Sequence, residues 1–243
     1  MSIYESDKLL GEYLLFHYGS ADEVAPPAGA EHALDFAVRC VGDCAGTRAL
    51  DVGCAVGRST FELARVCESV IGIDYSRRFI DAAETIRRDG SLGYERTDEG
   101  TQTTRLVARR PEVDPSRVSF EVGDAMALRD DLGEFDLVLA ANLIDRLADP
   151  ARFLARLPAL VKPGGQLVIT SPYTWLEDFT PREKWLGGFH GTSTLDGLHS
   201  ALGAAFELAT VRDLPFLIRE HARKFQLSVA QATIWRRRTF LIR

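Results

Sequence analysis

The 243-residue chain carries 29 Lys and Arg against 35 Asp and Glu, a net charge of −6, with 46% hydrophobic and 26% charged residues. This composition fits one α/β domain with insertions and excludes a global basic field for nucleic acid. No apolar run reaches the ~20 residues that a membrane helix needs. Glu5 and Asp7 stand where a secretory signal would be basic and apolar, so the expected location is the cytoplasm, with no membrane partner.

Residues 2–19 place Leu9, Leu10, Tyr13, Leu14, Phe16 and His17 at helical spacing. Ser6 or Asp7 can cap this helix and Gly19 can end it. It reads either as a helix packed on a sheet or as a lid that carries Tyr13, His17 and Tyr18 over a pocket. Residues 31–44 predict a second helix ending near Gly42. Arg39 within it reads as a surface arginine or as the anchor for a ligand carboxylate.

The stretch Ala49-Leu50-Asp51-Val52-Gly53-Cys54-Ala55-Val56-Gly57-Arg58-Ser59 is a strand ending in an acid, a glycine turn and a helix start. Glycines here allow tight backbone and close approach of a ligand to the main chain. A dinucleotide fingerprint fails, because Ala55 and Arg58 occupy its second and third glycine positions. The order Asp-x-Gly-x-(Gly/Ala)-x-Gly fits instead, and it resembles the loop of class I S-adenosylmethionine methyltransferases. That resemblance implies a cofactor held by Asp51, Gly53, Cys54, Ala55 and Gly57.

Ser69–Asp74 predicts the second strand, and Asp74 at its end, with Tyr75 next, is placed to accept a ribose's hydroxyls. Ser76 caps a helix to about Arg88. Residues 89–117 are a polar insertion, in which Tyr94–Thr97 and Thr103–Val107 flank Glu99-Gly100 as a protruding hairpin. The third strand runs from Val118 to Asp124. Asp124 and the amide of Ala125 are candidates for an adenine edge. Phe135–Ala141 is apolar on both faces, as a central parallel strand should be, and leads to Asn142. Pro150 to Val161 predicts a helix, and Gln166–Ser171 the fifth strand. An insertion at 172–191 and a helix over Leu195–Leu202 follow. The runs Phe206–Leu217 and Phe225–Trp235 are too close for a crossover and must pair antiparallel.

These elements predict a Rossmann-like, seven-stranded, mostly parallel sheet of order 3-2-1-4-5-7-6 with helices on both faces. Residues 1–243 form a single domain, of which 1–46 are the lid region. Asp51, Asp74, Asp124 and Asn142 fall on one edge, where ligands bind in open α/β sheets. Cys40, Cys44, Cys54 and Cys67 match no zinc spacing, so reduced thiols and no metal are expected. Arg236-Arg237-Arg238 reads as a solvated strand end.

A narrower resemblance is carried by Tyr4–Leu10, Glu12–Gly19, Ala140–Leu147, Ser171–Leu176, Trp185–Gly188 and Arg219–Gln226. These stretches are similar to the mercaptohistidine N-methyltransferase family of ovothiol biosynthesis, often the C-terminal domain of a 5-histidylcysteine sulfoxide synthase. The chain has no room for the iron-dependent synthase part, so it resembles a stand-alone form, with a sulfoxide synthase and a lyase upstream. The resemblance implies methyl transfer from S-adenosylmethionine to an imidazole nitrogen of 5-thiohistidine. Asp145 is the first candidate base, its alternative being a salt bridge to Arg146 or another cation, and His17 is the second. Tyr173 and Trp175 would wall the pocket with Tyr13 and Tyr18, or else pack in the core, and Arg39 or Arg146 would hold the substrate carboxylate. The alternatives are methyl transfer to another small molecule, and a non-catalytic S-adenosylmethionine-binding protein.

Overall fold

The computed structural model describes residues 5–42 and 44–239. Tyr4 of the N-terminal motif and Asp43 of the expected second helix lie outside that range. In chain order the elements are α1 (Asp7–Tyr18), α2 (Ala21–Val24), α3 (Phe36–Arg39), β1 (Arg48–Val52), α4 (Arg58–Leu63), β2 (Ser69–Asp74), α5 (Arg77–Asp89), β3 (Ser91–Glu99) and β4 (Gln102–Arg109). There follow β5 (Val118–Val122), β6 (Phe135–Ala141), α6 (Pro150–Leu160), β7 (Val161–Ser171), α7 (Thr194–Leu202), β8 (Phe206–His221) and β9 (Lys224–Arg237).

Seven strands form one sheet in the order β5-β2-β1-β6-β7-β9-β8. Leaving the β3–β4 hairpin out of the count gives the expected 3-2-1-4-5-7-6. Parallel pairing runs from β5 to β7, with Leu50 between Ile71 and Val138. β9 enters antiparallel to both β7 and β8. Leu50, Val138, Leu139 and Val168 are fully or almost fully buried, as strands covered on both faces require. β1 and β6 are neighbours at the point where strand order reverses, so the loops leaving their carboxyl ends open a crevice there.

The helices start and stop where side-chain chemistry allows. Ser6 Oγ accepts from Leu9 N at 3.3 Å to cap α1, and Gly19 closes it. Ser76 Oγ accepts from Phe79 N at 3.1 Å to cap α5, and left-handed Gly90 ends it. α5 buries Phe79, Ala82, Ala83 and Ile86 along one stripe.

Two expectations are corrected. The helix expected over 31–44 is a 3₁₀ turn at Glu31–Ala33 and the short α3, separated by extended Leu34 and left-handed Asp35 (φ 54°). The buried residues Ala33, Phe36, Ala37 and Cys40 carry a helical period, but the released carbonyl of Leu34 is taken by Arg39 Nε at 2.8 Å. That bond replaces the missing helical one. The hairpin of the 89–117 insertion forms, but it docks instead of protruding. Tyr94 and Ala108 are buried, and a Cβ on Gly11 of α1 would sit 2.5 Å from Glu95 O. Glycine at position 11 is what lets the helix lie directly on β3.

Candidate functional site

A cavity of about 470 Å³ opens at the carboxyl ends of β1, β2, β5 and β6. Its inner half is built by the glycine turn. Gly53 (φ 77°), Ala55 (φ 48°) and Gly57 (φ 85°) are all left-handed. At Gly57 a Cβ would meet Phe120 Cζ at 2.6 Å, so glycine is required there twice over. The turn is stitched down by Gly53 N and Cys54 N donating to Ile73 O, at 2.8 and 3.1 Å. Ala55 N donates to Asp74 Oδ2 at 2.9 Å.

Of the residues expected to hold the cofactor, Gly53, Ala55, Asp74, Tyr75, Asp124, Ala125 and Asn142 line this cavity. Asp51, Cys54 and Gly57 do not reach it and form the layer beneath. Asp51 is fully buried, its Oδ2 accepting from Ser59 Oγ and Thr60 Oγ1 at 2.7 Å each. Its Oδ1 has no partner among the described residues, and burial pushes its pKa up to about 6. Asp51 therefore ties β1 to the start of α4. Cys54 is buried against the same layer.

Asp74 Oδ1 accepts from Ser76 N at 2.9 Å, and burial raises its pKa against the pull of these backbone bonds. A carboxylate has about four acceptor directions. Ala55 N and Ser76 N take two of them, and the residue lines the cavity. Asp124 Oδ1 accepts from Met126 N at 2.8 Å, which turns the chain so that Ala125 faces inward. Asn142 is left-handed (φ 50°) and held by Thr170, whose hydroxyl donates to Asn142 Oδ1 at 3.0 Å.

The outer half is aromatic. Tyr13, Phe16 and His17 come from α1, Phe36 from α3, Phe79 from α5, and Phe216 with Ile218 from β8. Tyr13 meets Phe79 at 4.7 Å between centroids, and Phe36 meets Phe216 at 5.0 Å. The His17 ring stacks near Tyr13. Burial, with Arg58 close by, lowers its pKa to about 3, and Nδ1 has no partner among the described residues. It is a neutral imidazole at physiological pH. Facing this wall are Asp145, Arg146, Leu147, Pro172, Asp178 and Phe179. Asp145 is 1% exposed. Its Oδ1 accepts from Ser171 Oγ at 2.9 Å, and its Oδ2 from Arg146 Nη1 at 2.8 Å and Thr174 N at 3.1 Å.

Four residues expected at the substrate lie elsewhere. Arg39 spends its guanidinium on Leu34 O and Pro215 O, bracing α3 against β8. Tyr18 lies off the cavity, its hydroxyl donating to Val56 O at 2.8 Å. Tyr173 is left-handed (φ 55°), which swings its ring back along β9 to donate to Gln231 Oε1 at 2.9 Å. Trp175, in the 172–191 insertion, stacks on Trp185 and donates to Thr194 Oγ1 of α7 at 3.0 Å. Sequence reasoning passed over Phe36, Phe79, Phe179, Phe216 and Ile218. Leu214, Phe216 and Ile218 alternate along β8, the one signal that put a face of that strand toward the site. Among the described residues no cluster of three His, Cys, Asp or Glu side chains could hold a metal, and the four cysteines are buried and unbridged.

The family described as "Methyltransferase domain" matches residues 43–187, well over half of the chain. The chain belongs to that family. S-adenosylmethionine is accordingly its cofactor. Curated relatives named ubiquinone biosynthesis O-methyltransferase are 30% identical over 128 residues in Methylococcus capsulatus, covering 52% of this chain and 44% of the relative. In Alkalilimnicola ehrlichii the figures are 30% over 139 residues, 57% and 47%. The chain thus spans less than half the length of the curated relatives it matches. Among solved structures, the N-methyltransferase NodS from Bradyrhizobium japonicum WM9 with S-adenosyl-L-homocysteine superposes with a TM-score of 0.54. It is 17% identical and covers 94% of this chain and 98% of its own. The [4+2]-cyclase SpnF gives a TM-score of 0.54 at 18% identity, covering 85% and 80%. At such identities the likeness is one of fold. α1, α3 and β8, which make most of the aromatic wall, lie outside the matched stretch of this methyltransferase domain.

Proposed function

We propose that the domain methylates an imidazole ring nitrogen of 5-thiohistidine, giving ovothiol A, within the class of small-molecule methyltransferases. The observation that carries this reading is where the resembling stretches sit. Glu12–Gly19 supplies Tyr13, Phe16 and His17 on one wall, and Ala140–Leu147 supplies Asn142, Asp145 and Arg146 opposite. Sequences that resemble one family across both walls of a cavity bear on its occupant.

In this reading Asp74 accepts the ribose hydroxyls, Asp124 and Ala125 meet the adenine, and Gly53 and Ala55 face the amino-acid end of the cofactor. The bound cofactor supplies a methyl group already activated on a sulfonium. The ring nitrogen's lone pair attacks the methyl carbon, the carbon–sulfur bond breaks, and its electron pair returns to sulfur. Neutral imidazole already carries that lone pair, so the attack needs no base. The spare ring proton leaves to solvent afterwards. The protein's work is orientation and exclusion of water. It is also discrimination, because the substrate's sulfur is the better nucleophile.

A second reading, methylation of a phenol-like acceptor, is favoured by the aromatic wall together with the O-methyltransferase relatives. Incubation with S-adenosylmethionine and either 5-thiohistidine or a catechol, read by NMR, separates them. N-methylated thiohistidine is expected. S-methylated product alone, or turnover of the catechol alone, would sink the first reading.

A further inference from the structure

Arg146 is the only Lys or Arg among the described residues that line the cavity. Its guanidinium is held from one side. Nη1 donates to Asp145 Oδ2 at 2.8 Å, to Asp145 O at 2.9 Å and to Thr174 O at 2.9 Å. Phe179 lies under the guanidinium plane at 5.1 Å. Asp145, the residue that fixes this geometry, is itself held by Ser171 and Thr174 and buried from water. Nε and Nη2 make no hydrogen bond among the described residues and are accessible, on a side chain that lines the cavity.

A guanidinium immobilised through one nitrogen presents its opposite edge as a two-donor fork, the shape that pairs with a carboxylate through two parallel bonds. Holding an arginine rigid also removes most of the rotamer entropy that a flexible cation would lose on binding. We infer that the Nε–Nη2 edge of Arg146 is a built receptor for the carboxylate of the acceptor, positioned by Asp145, and that it selects free amino acids over the corresponding amines. This rests on the reading of the outer half of the cavity as the acceptor site. Arg39, the other cation that the sequence offered for this role, is committed to two backbone carbonyls outside the cavity.

The test uses L-histidine and histamine, which differ by the carboxylate, titrated calorimetrically into the protein saturated with S-adenosylhomocysteine. The parent is expected to bind histidine about tenfold to a hundredfold more tightly, the range of a charge-assisted pair. Arg146→Gln should bring the two ligands within about threefold of each other. Arg146→Lys, which keeps the charge but not the fork, should keep part of the preference. Both variants should hold S-adenosylhomocysteine with parental affinity, which shows that they are folded. Equal binding of the two ligands by the parent, binding of neither, or a preference that survives Arg146→Gln would each overturn the inference. If 5-thiohistidine is not methylated while the histidine preference stands and depends on Arg146, the proposed function fails and the carboxylate receptor remains.

Discussion

Asp74 offers the sharpest test of the cofactor half. Its two oxygens each accept one backbone amide at 2.9 Å, Ala55 N and Ser76 N, and the carboxylate lines the cavity within reach of a ribose's hydroxyls. A hydrogen bond to a charged acceptor contributes about 1.5–3 kcal/mol, so Asp74→Ala should weaken S-adenosylmethionine binding about tenfold to a hundredfold. Asp74→Asn keeps one oxygen but turns an amide donor toward one of the two backbone N–H groups. It should lose about tenfold and unsettle the glycine turn. The sign with pH follows from burial, which raises this carboxyl above its ordinary value. Only the ionised form accepts from both amides and both hydroxyls. Affinity should therefore fall as pH drops through that raised value, and the fall should vanish in Asp74→Asn. Titration calorimetry at several pH values, with circular dichroism to show a folded variant, makes the measurement. A dissociation constant within twofold of the parent, or a pH dependence shared by Asp74→Asn, would refute the reasoning.

Asp51 titrates at about 6 because its charged form is buried with one oxygen unpartnered. Its folded pKa is raised, so its contribution is fully present below the unfolded value and is lost as pH rises through about 6, at a cost of about 3 kcal/mol. The melting temperature of Asp51→Asn relative to the parent, without cofactor, should therefore rise between pH 5 and 8; a difference that does not move with pH contradicts this. Gly57→Ala places a Cβ 2.6 Å from Phe120 Cζ at φ 85°. The expected loss is about 2–4 kcal/mol in urea unfolding, from left-handed strain plus overpacking, and a loss under 1 kcal/mol would show that the turn relaxes. Asp145→Asn keeps the shape of the clamp and removes its charge, so kcat should stay within about threefold while KM for a carboxylate-bearing acceptor rises about tenfold. A general base would instead cost about 10²–10⁴ in kcat.

The cofactor half was legible in the sequence because its chemistry is local. An acid at a strand end, followed by glycine or a short polar turn, is one stretch of chain, and the sheet order aligns Asp74, Asp124 and Asn142 automatically. The acceptor half is assembled from a distance. Phe36 and Phe216 touch only because β8 returns beside α3, and nothing local says so. Arg39 and Tyr173 were misplaced for one shared reason. Asp35 and Tyr173 adopt left-handed backbone without being glycine, which nothing in the local sequence announces. Asp145 is expected from the sequence as a base or as the salt-bridge partner of Arg146, and the structure shows the ion pair. Its role changed once Ser171 and Thr174, brought over by β7, were seen to occupy its oxygens.

The two side chains expected as bases are both engaged or perturbed by burial, which raises the Asp145 carboxyl and lowers the His17 imidazole. His17 is held neutral near a pKa of 3, and Asp145 is committed to three donors. A sulfonium donor asks for no base, so in the proposed reaction the rate and the choice between nitrogen and sulfur rest on where the ring is held. α1 sets that position. Gly11 seats it on Glu95 O, Tyr13 packs on Phe79, and Asp7 pairs with Arg78 of α5. The Tyr18 hydroxyl binds Val56 O within the glycine turn itself. One hydrogen bond thus ties the acceptor wall to the loop beside the cofactor. The spacing between acceptor and methyl group is then fixed by the same contacts that fold the N-terminal helix, and selectivity becomes a property of that packing.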